Sequence, residues 1–122
     1  MSAVQAGDRA AWLRLFAEDS RVEDPVGHLP EIIGRTALAE FWDQAIGPLT
    51  SVEFEVGRQW EAGAEAMLLA TVKVVSPTGA EVGYDGAFGY ALDEDGRIAS
   101  LRAFWDLPAV AAALAAQLPA SP

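Results

Sequence analysis

The 122 residues predict an α+β domain in which helices pack on the concave side of a curved antiparallel sheet. Two observations carry this reading. Up to about residue 47 the apolar residues recur at helical spacing, and from residue 51 onward they alternate, so the period changes from 3.6 to 2. The alternating part is divided by two hairpin signals, "SPTG" at 76–79 and "DEDG" at 93–96, which make it a meander. Helices across the open side of such a sheet leave a cone with an apolar interior, a natural pocket for a small ligand.

Each element has its own signal. Gly7-Asp8 reads as a break and an N-cap, after which Trp12, Leu13 and Phe16 fall at helical spacing to about Ala17. "SRVEDP" reads as a short strand ended by Pro25, and "VGHLPEIIG" as a loop. Gly34-Arg35-Thr36 opens a second helix with Leu38, Phe41, Trp42, Ala45 and Ile46 on one face, and Gly47-Pro48 ends it. Val52, Phe54 and Val56 alternate with Glu53, Glu55 and Gly57 in a strand. "EAMLLATVKVVS", "EVGYDGAFGYAL" and "RIASLRAFW" follow as three more. "DLPAVAAALAAQL" is a final helix with Pro108 in its first turn. No repeat interrupts this order, so a single domain over 1–122 is expected.

Composition narrows the function. A chain 52% hydrophobic, with four Trp and five Phe, can bury one real core. A formal charge of −10 repels nucleic acid and anionic membranes and leaves neutral or cationic ligands. There is no Cys, hence no disulfide and no thiolate chemistry. One His without a zinc-binding spacing gives no reason to expect a metal, and no cofactor is expected. No apolar run approaches the roughly 18 residues of a membrane span, and no signal peptide is legible, so a cytoplasmic protein is expected.

The segment "RVEDPVG" at 21–27 holds the chemistry. Asp24 stands at a strand end, after apolar Val22 and before Pro25. It can be a turn-capping Asp, or a carboxylate turned into the apolar interior.

Three stretches decide between these. "AGDRAAWLRLFAEDSRVEDPVG", "IIGRTALAEFW" and "DEDGRIASLRAFW" resemble the opening, the second helix and the last hairpin of the ketosteroid isomerase-like (SnoaL-like) branch of the nuclear transport factor 2 superfamily. The likeness covers about residues 5 to 106. It implies a cone-shaped NTF2-like/cystatin-like fold, usually a homodimer, and a pocket of steroid or polyketide size with Asp24 as general base. Apolar walls desolvate such a carboxylate and raise its basicity.

The chain also departs from that pattern. The family's oxyanion Tyr precedes the Gly-Asp break, and only six residues precede Gly7 here. Phe88 stands where the resemblance implies the protonated oxyanion Asp, and Phe16 and Trp42 stand for two supporting phenols. Strand parity around Phe88 adds Tyr84, Gly86 and Tyr90 to the pocket face. Met67, Leu69 and Thr71 match pocket positions on the strand before, and Leu101, Ala103 and Trp105 on the last strand. Asp85 and Glu23 fall on the opposite face. Tyr84, Tyr90, Trp42 and Trp105 are then the replacement donors in reach. Asp106 is an N-cap or a second pocket carboxylate, and His28 belongs to a polar loop.

The expected function is a steroid delta-isomerase-like enzyme in which Asp24 moves a proton on a hydrophobic steroid- or polyketide-like substrate. The site would comprise Asp24, Tyr84 and Asp106 as catalytic groups, with Trp42, Met67, Leu69, Thr71, Phe88, Tyr90, Leu101 and Trp105 around the substrate. Two alternatives stay open: a polyketide or polyether cyclase or epoxide hydrolase of the same fold, and a non-catalytic binder of hydrophobic ligands.

Overall fold

The structure, a computed structural model, describes residues 2–117. Two short helices, α1 (Ser2–Gln5) and α2 (Arg9–Arg14), lead into β1 (Phe16–Glu23). A short β2 (Ile32–Ile33) precedes α3 (Gly34–Phe41), which continues into a π-helical turn at Trp42–Ile46. The meander β3 (Ser51–Ala62), β4 (Glu65–Val75), β5 (Glu81–Leu92) and β6 (Ile98–Phe104) follows, and α4 (Leu107–Ala115) ends the described chain.

All six strands form one sheet in the order β2-β1-β6-β5-β4-β3. The meander strands pair antiparallel, as the hairpin signals predict. The pairing no turn announces is the parallel one between β1 and β6, with Val22 beside Leu101 and Glu23 beside Arg102. It places the end of β1 against the end of β6, and so decides what Asp24 meets. The register of β3 on β4 shifts between Val56 and Gln59, an irregularity of the kind that bends a sheet.

Two expectations about the first third are corrected. The first long helix was expected to reach about Ala17, but α2 stops at Arg14 and Phe16 and Ala17 are already strand. The Leu15 carbonyl accepts from the Ile98 N–H at 2.8 Å, and Phe16 pairs with Ile98. Sheet pairing and burial of the Phe16 ring, 1% exposed, override local helical spacing. Within the expected loop, Ile32 and Ile33 form β2 against Val22 and Arg21. Gly34 then turns the chain into α3 with φ 84°, a conformation open to glycine and strained for other residues. The neighbouring Arg35 guanidinium donates twice to the Phe16 carbonyl, at 3.2 and 2.8 Å, and holds the place where β1 slips register.

The helices cover the inner face. Trp12 packs edge-on against Phe16, with ring centroids 4.9 Å apart, and tilted against Trp42 at 5.1 Å. Leu38, fully buried, completes this cluster beneath α3. Each such side chain contributes roughly 1.5–3 kcal/mol through its burial. The π turn is closed by the Gly47 N–H donating to the Trp42 carbonyl at 2.7 Å.

Both predicted caps form. Asp8 accepts from the Ala11 N–H at 3.0 Å, and Asp106 from the Ala109 N–H at 2.9 Å. The last residue of the expected final helix, Leu118, lies outside the described residues. The end of α4 is tied to the start of β5 by Gln117. Its side-chain carbonyl accepts from the Glu81 N–H at 2.9 Å, and its amide donates to the Glu81 carbonyl at 2.6 Å. No helix among the described residues is long and apolar enough to cross a membrane.

Candidate active site

The site grows from the end of β1. Val22 turns inward and Glu23 outward, where Arg102 donates to it at 3.1 Å. Asp24 is next and turns inward again, by the alternation of a strand. Pro25 is fully buried behind it, and the Val26 N–H donates to the Ala103 carbonyl at 2.8 Å. The carboxylate is thus held at the level of Ala103 and its partner on β5, Phe88.

Trp105 follows β6 on the same inner side. Its indole Nε1–H donates to Asp24 Oδ1 at 2.6 Å, and its ring stacks on Tyr84 with centroids 4.8 Å apart and planes at 29°. Asp24, Trp105 and Tyr84 therefore form one connected group from three chain segments.

This group opens on a cavity of about 360 Å³. Its wall is almost wholly apolar. Phe54 comes from β3, Val72 and Val74 from β4, Phe88 from β5 and Leu101 from β6. Phe41 and Ile46 enter from α3 and the π turn, and Leu107, Val110 and Leu114 from α4. The ionisable groups on the wall are Asp24, Tyr84 and Tyr90. Burial raises the Asp24 pKa from 3.8 to about 6, and the Trp105 hydrogen bond holds it from rising further. Burial, and then the Asp24 charge, pushes Tyr90 up to about 12 and Tyr84 up as well, so both stay protonated donors at neutral pH. No hydrogen bond to another described residue occupies either phenol hydroxyl.

Of the residues picked out by sequence, Asp24, Tyr84, Tyr90, Phe88, Leu101 and Trp105 meet at this cavity. Others are placed elsewhere. Met67, Leu69 and Thr71 lie on the outer face of the sheet, the first two about 40% exposed, at 39% and 42%. Thr71 donates to Asp85 there, at 2.7 Å. The reason is register: in the β4–β5 hairpin Phe88 is opposite Leu68 and Tyr84 opposite Val72, so the even-numbered residues of β4 face inward. An error of one in parity flips every side chain of a strand. Trp42 belongs to the buried cluster with Trp12, while Phe41 and Ala45 reach the cavity instead. Ala103 is fully buried in the core. Asp106 is exposed and caps α4, so it is not a second carboxylate on the cavity wall. His28 is exposed in its loop.

The contribution of α4 went unread, although Leu107, Val110, Ala111 and Leu114 already had the spacing of an inward helical face. Val72 and Val74 could have been found by counting back from the "SPTG" turn. That count makes Val74 the partner of Val82 and carries the parity along both strands.

A curved open sheet is thus roofed by helices over an apolar cavity with one desolvated carboxylate on its wall. Residues 1–101 match the SnoaL-like domain family. The chain belongs to that family, in the ketosteroid isomerase-like branch of the nuclear transport factor 2 superfamily. It is 32% identical over 111 residues to a steroid delta-isomerase of Nocardioides simplex, covering 86% of this chain and 82% of that protein. The delta 5-3-ketosteroid isomerase from Mycobacterium sp. has a similar structure, with a TM-score of 0.81 at 32% identity over 88% of each chain. A Mycobacterium tuberculosis protein solved with estradiol-17beta-hemisuccinate is similar at TM-score 0.80 and 26% identity, again over 88% of each chain.

Proposed function

We propose that the protein is an enzyme that shifts a double bond in a steroid-sized apolar ketone, with Asp24 as general base. The observation that carries this reading is the Asp24 carboxylate on the wall of an apolar cavity, its pKa lifted to about 6 and its orientation held by Trp105 at 2.6 Å. A base poised near the working pH combines ionisation with proton affinity. The steroid isomerase relatives and the steroid-bound neighbour support the substrate class.

In a β,γ-unsaturated ketone, Asp24 takes the proton from the carbon between the carbonyl and the double bond. The electron pair moves onto the carbonyl oxygen, giving a dienolate. The Asp24 acid then returns the proton to the far alkene carbon, and the double bond ends in conjugation with the reformed carbonyl. Nothing is consumed. Phe88 offers the dienolate oxygen no hydrogen bond, and each missing donor costs about 10²–10³ in rate. Turnover well below that of a fully equipped isomerase is therefore expected. Opening an epoxide or closing a ring would also need an acid at the leaving oxygen; Asp106 caps α4 outside the cavity, which leaves that part to the Tyr84 phenol.

The test is conversion of a 5-ene-3-ketosteroid, read by the absorbance of the conjugated product. The rate is expected to rise with pH through about 6, as the carboxylate becomes free to accept a proton. A rate that is flat through this range, or no turnover of any unsaturated ketone, would remove Asp24 as base.

A homodimer on the outer face is part of the same reading. Leu69, Ala87 and Phe104 form a continuous row across β4, β5 and β6 there, and Trp60 with its partner Met67 extends it. Trp60 is 51% and Phe104 42% exposed in the single chain. Sedimentation equilibrium at micromolar concentration should give twice the mass of the chain, and Phe104→Glu should give the monomer.

A further inference from the structure

The indole and phenol groups near the base do not have equal roles. Four side chains could give the substrate oxygen a hydrogen bond in place of Phe88: Trp12, Trp105, Tyr90 and Tyr84. The Trp105 N–H is already committed to Asp24 at 2.6 Å. Trp12 also reaches the cavity wall, but its ring is wedged between Phe16 and Trp42 in the cluster under α3, away from the group formed by Asp24, Trp105 and Tyr84. The two phenols are left, on opposite sides of Phe88 along β5.

Tyr84 differs from Tyr90 in how it is held. Its ring is stacked on the indole that also fixes the base. Base and phenol thus share one support, and their separation is set before a ligand arrives. Such preorganisation makes a hydrogen bond count at the transition state. Tyr90 lies two residues beyond Phe88 on β5, opposite Leu101, and stacks on no ring among the described residues.

We propose that the Tyr84 hydroxyl is the donor that binds the substrate's carbonyl oxygen and stabilises it as negative charge develops, while Trp105 positions Tyr84 and Asp24 together. This rests on the proposed proton transfer at Asp24 and specifies the group that completes it. In the step itself Tyr84 keeps its proton. Asp24 carries the transferred hydrogen, and the phenol O–H shortens its bond to the dienolate oxygen and relaxes when the carbonyl reforms. Burial, and then the Asp24 charge, raises the pKa of Tyr84, which suits this, because the phenol stays protonated over the range in which Asp24 ionises.

Two readouts test it. In steady-state turnover of a 5-ene-3-ketosteroid, Tyr84→Phe should lower kcat about 10²-fold with KM changed little, whereas Tyr90→Phe should change kcat less than threefold. Binding is measured separately in the Asp24→Asn background, using substituted 2-naphthols of graded acidity as mimics of the dienolate. With Tyr84 present, affinity should rise as the naphthol becomes more acidic. With Tyr84→Phe this dependence should flatten, while a neutral apolar steroid still binds as before. A steep dependence that survives Tyr84→Phe overturns the proposal, and one that disappears with Tyr90→Phe assigns the role to Tyr90. The binding arm stands whether or not the ketosteroid is turned over. Failure of Asp24 as base and failure of Tyr84 as donor are therefore read apart.

Discussion

Replacing Asp24 with Asn should slow ketosteroid conversion by about 10²–10⁴, the usual range for a positioned general base, and should at the same time make the protein more stable at neutral pH. Loss of function with a gain in stability is the mark of a group kept for chemistry. The sign follows from the raised pKa. Below about pH 4 the carboxyl is protonated in both folded and unfolded chains and has no effect on their balance. Between about 4 and 6 the unfolded chain releases the proton and the folded chain keeps it, so stability falls as pH rises. Above about 6 the folded chain carries a buried charge at full cost. A rise of about two pH units, at about 1.4 kcal/mol each, corresponds to about 3 kcal/mol. Asn has the same shape, still accepts from Trp105 and carries no charge. Urea unfolding at pH 7.5 should place Asp24→Asn about 2–3 kcal/mol above the parent, and the two should converge at pH 4. A variant that is less stable at pH 7.5, or equally active, would make Asp24 a structural residue at a turn.

Replacing Trp105 with Phe should have the second largest effect, and in the opposite direction on stability. Phe keeps a ring for Tyr84 to stack on and removes the N–H that reaches Asp24 at 2.6 Å. That hydrogen bond favours the ionised carboxylate, so its loss raises the pKa further above about 6. A hydrogen bond to a charged group is worth about 1.5–3 kcal/mol, which is one pH unit or more. The acid limb of the pH–rate profile should therefore move from about 6 to about 7 or above, and activity at pH 6.5 should fall severalfold more than activity at pH 8.5. Stability at pH 8 should drop by about 1.5–3 kcal/mol, with much less change at pH 4, where the carboxyl is protonated. A profile that stays in place would mean that Trp105 only fills space.

The strand and helix order was legible in the amino acids because it follows from local rules. The change of period near residue 50, the caps at Asp8 and Asp106, and the turns at 76–79 and 93–96 all act over a few residues, and all reappear in the fold. The position of Asp24 at the end of β1 is equally local, since Val22 and Pro25 define an inward side and a stop. What surrounds that carboxylate is not local. Its hydrogen-bond donor lies 81 residues away and reaches it only because β1 runs parallel beside β6, a pairing without a hairpin to signal it. The inner face of β4 was equally hidden. "MLLATVKVV" is apolar on both sides, so hydrophobicity could not say which parity turns inward, and the register with β5 chose Leu68, Val72 and Val74 over Met67, Leu69 and Thr71. Trp42 and Phe41 were divided between core and cavity in the same way, by how the turn after α3 meets Trp12. Local patterns thus settled most elements and the place of the Asp24 carboxylate. Its partners came from long-range strand register and packing, because side chains far apart in sequence become neighbours only when the sheet closes its pairings.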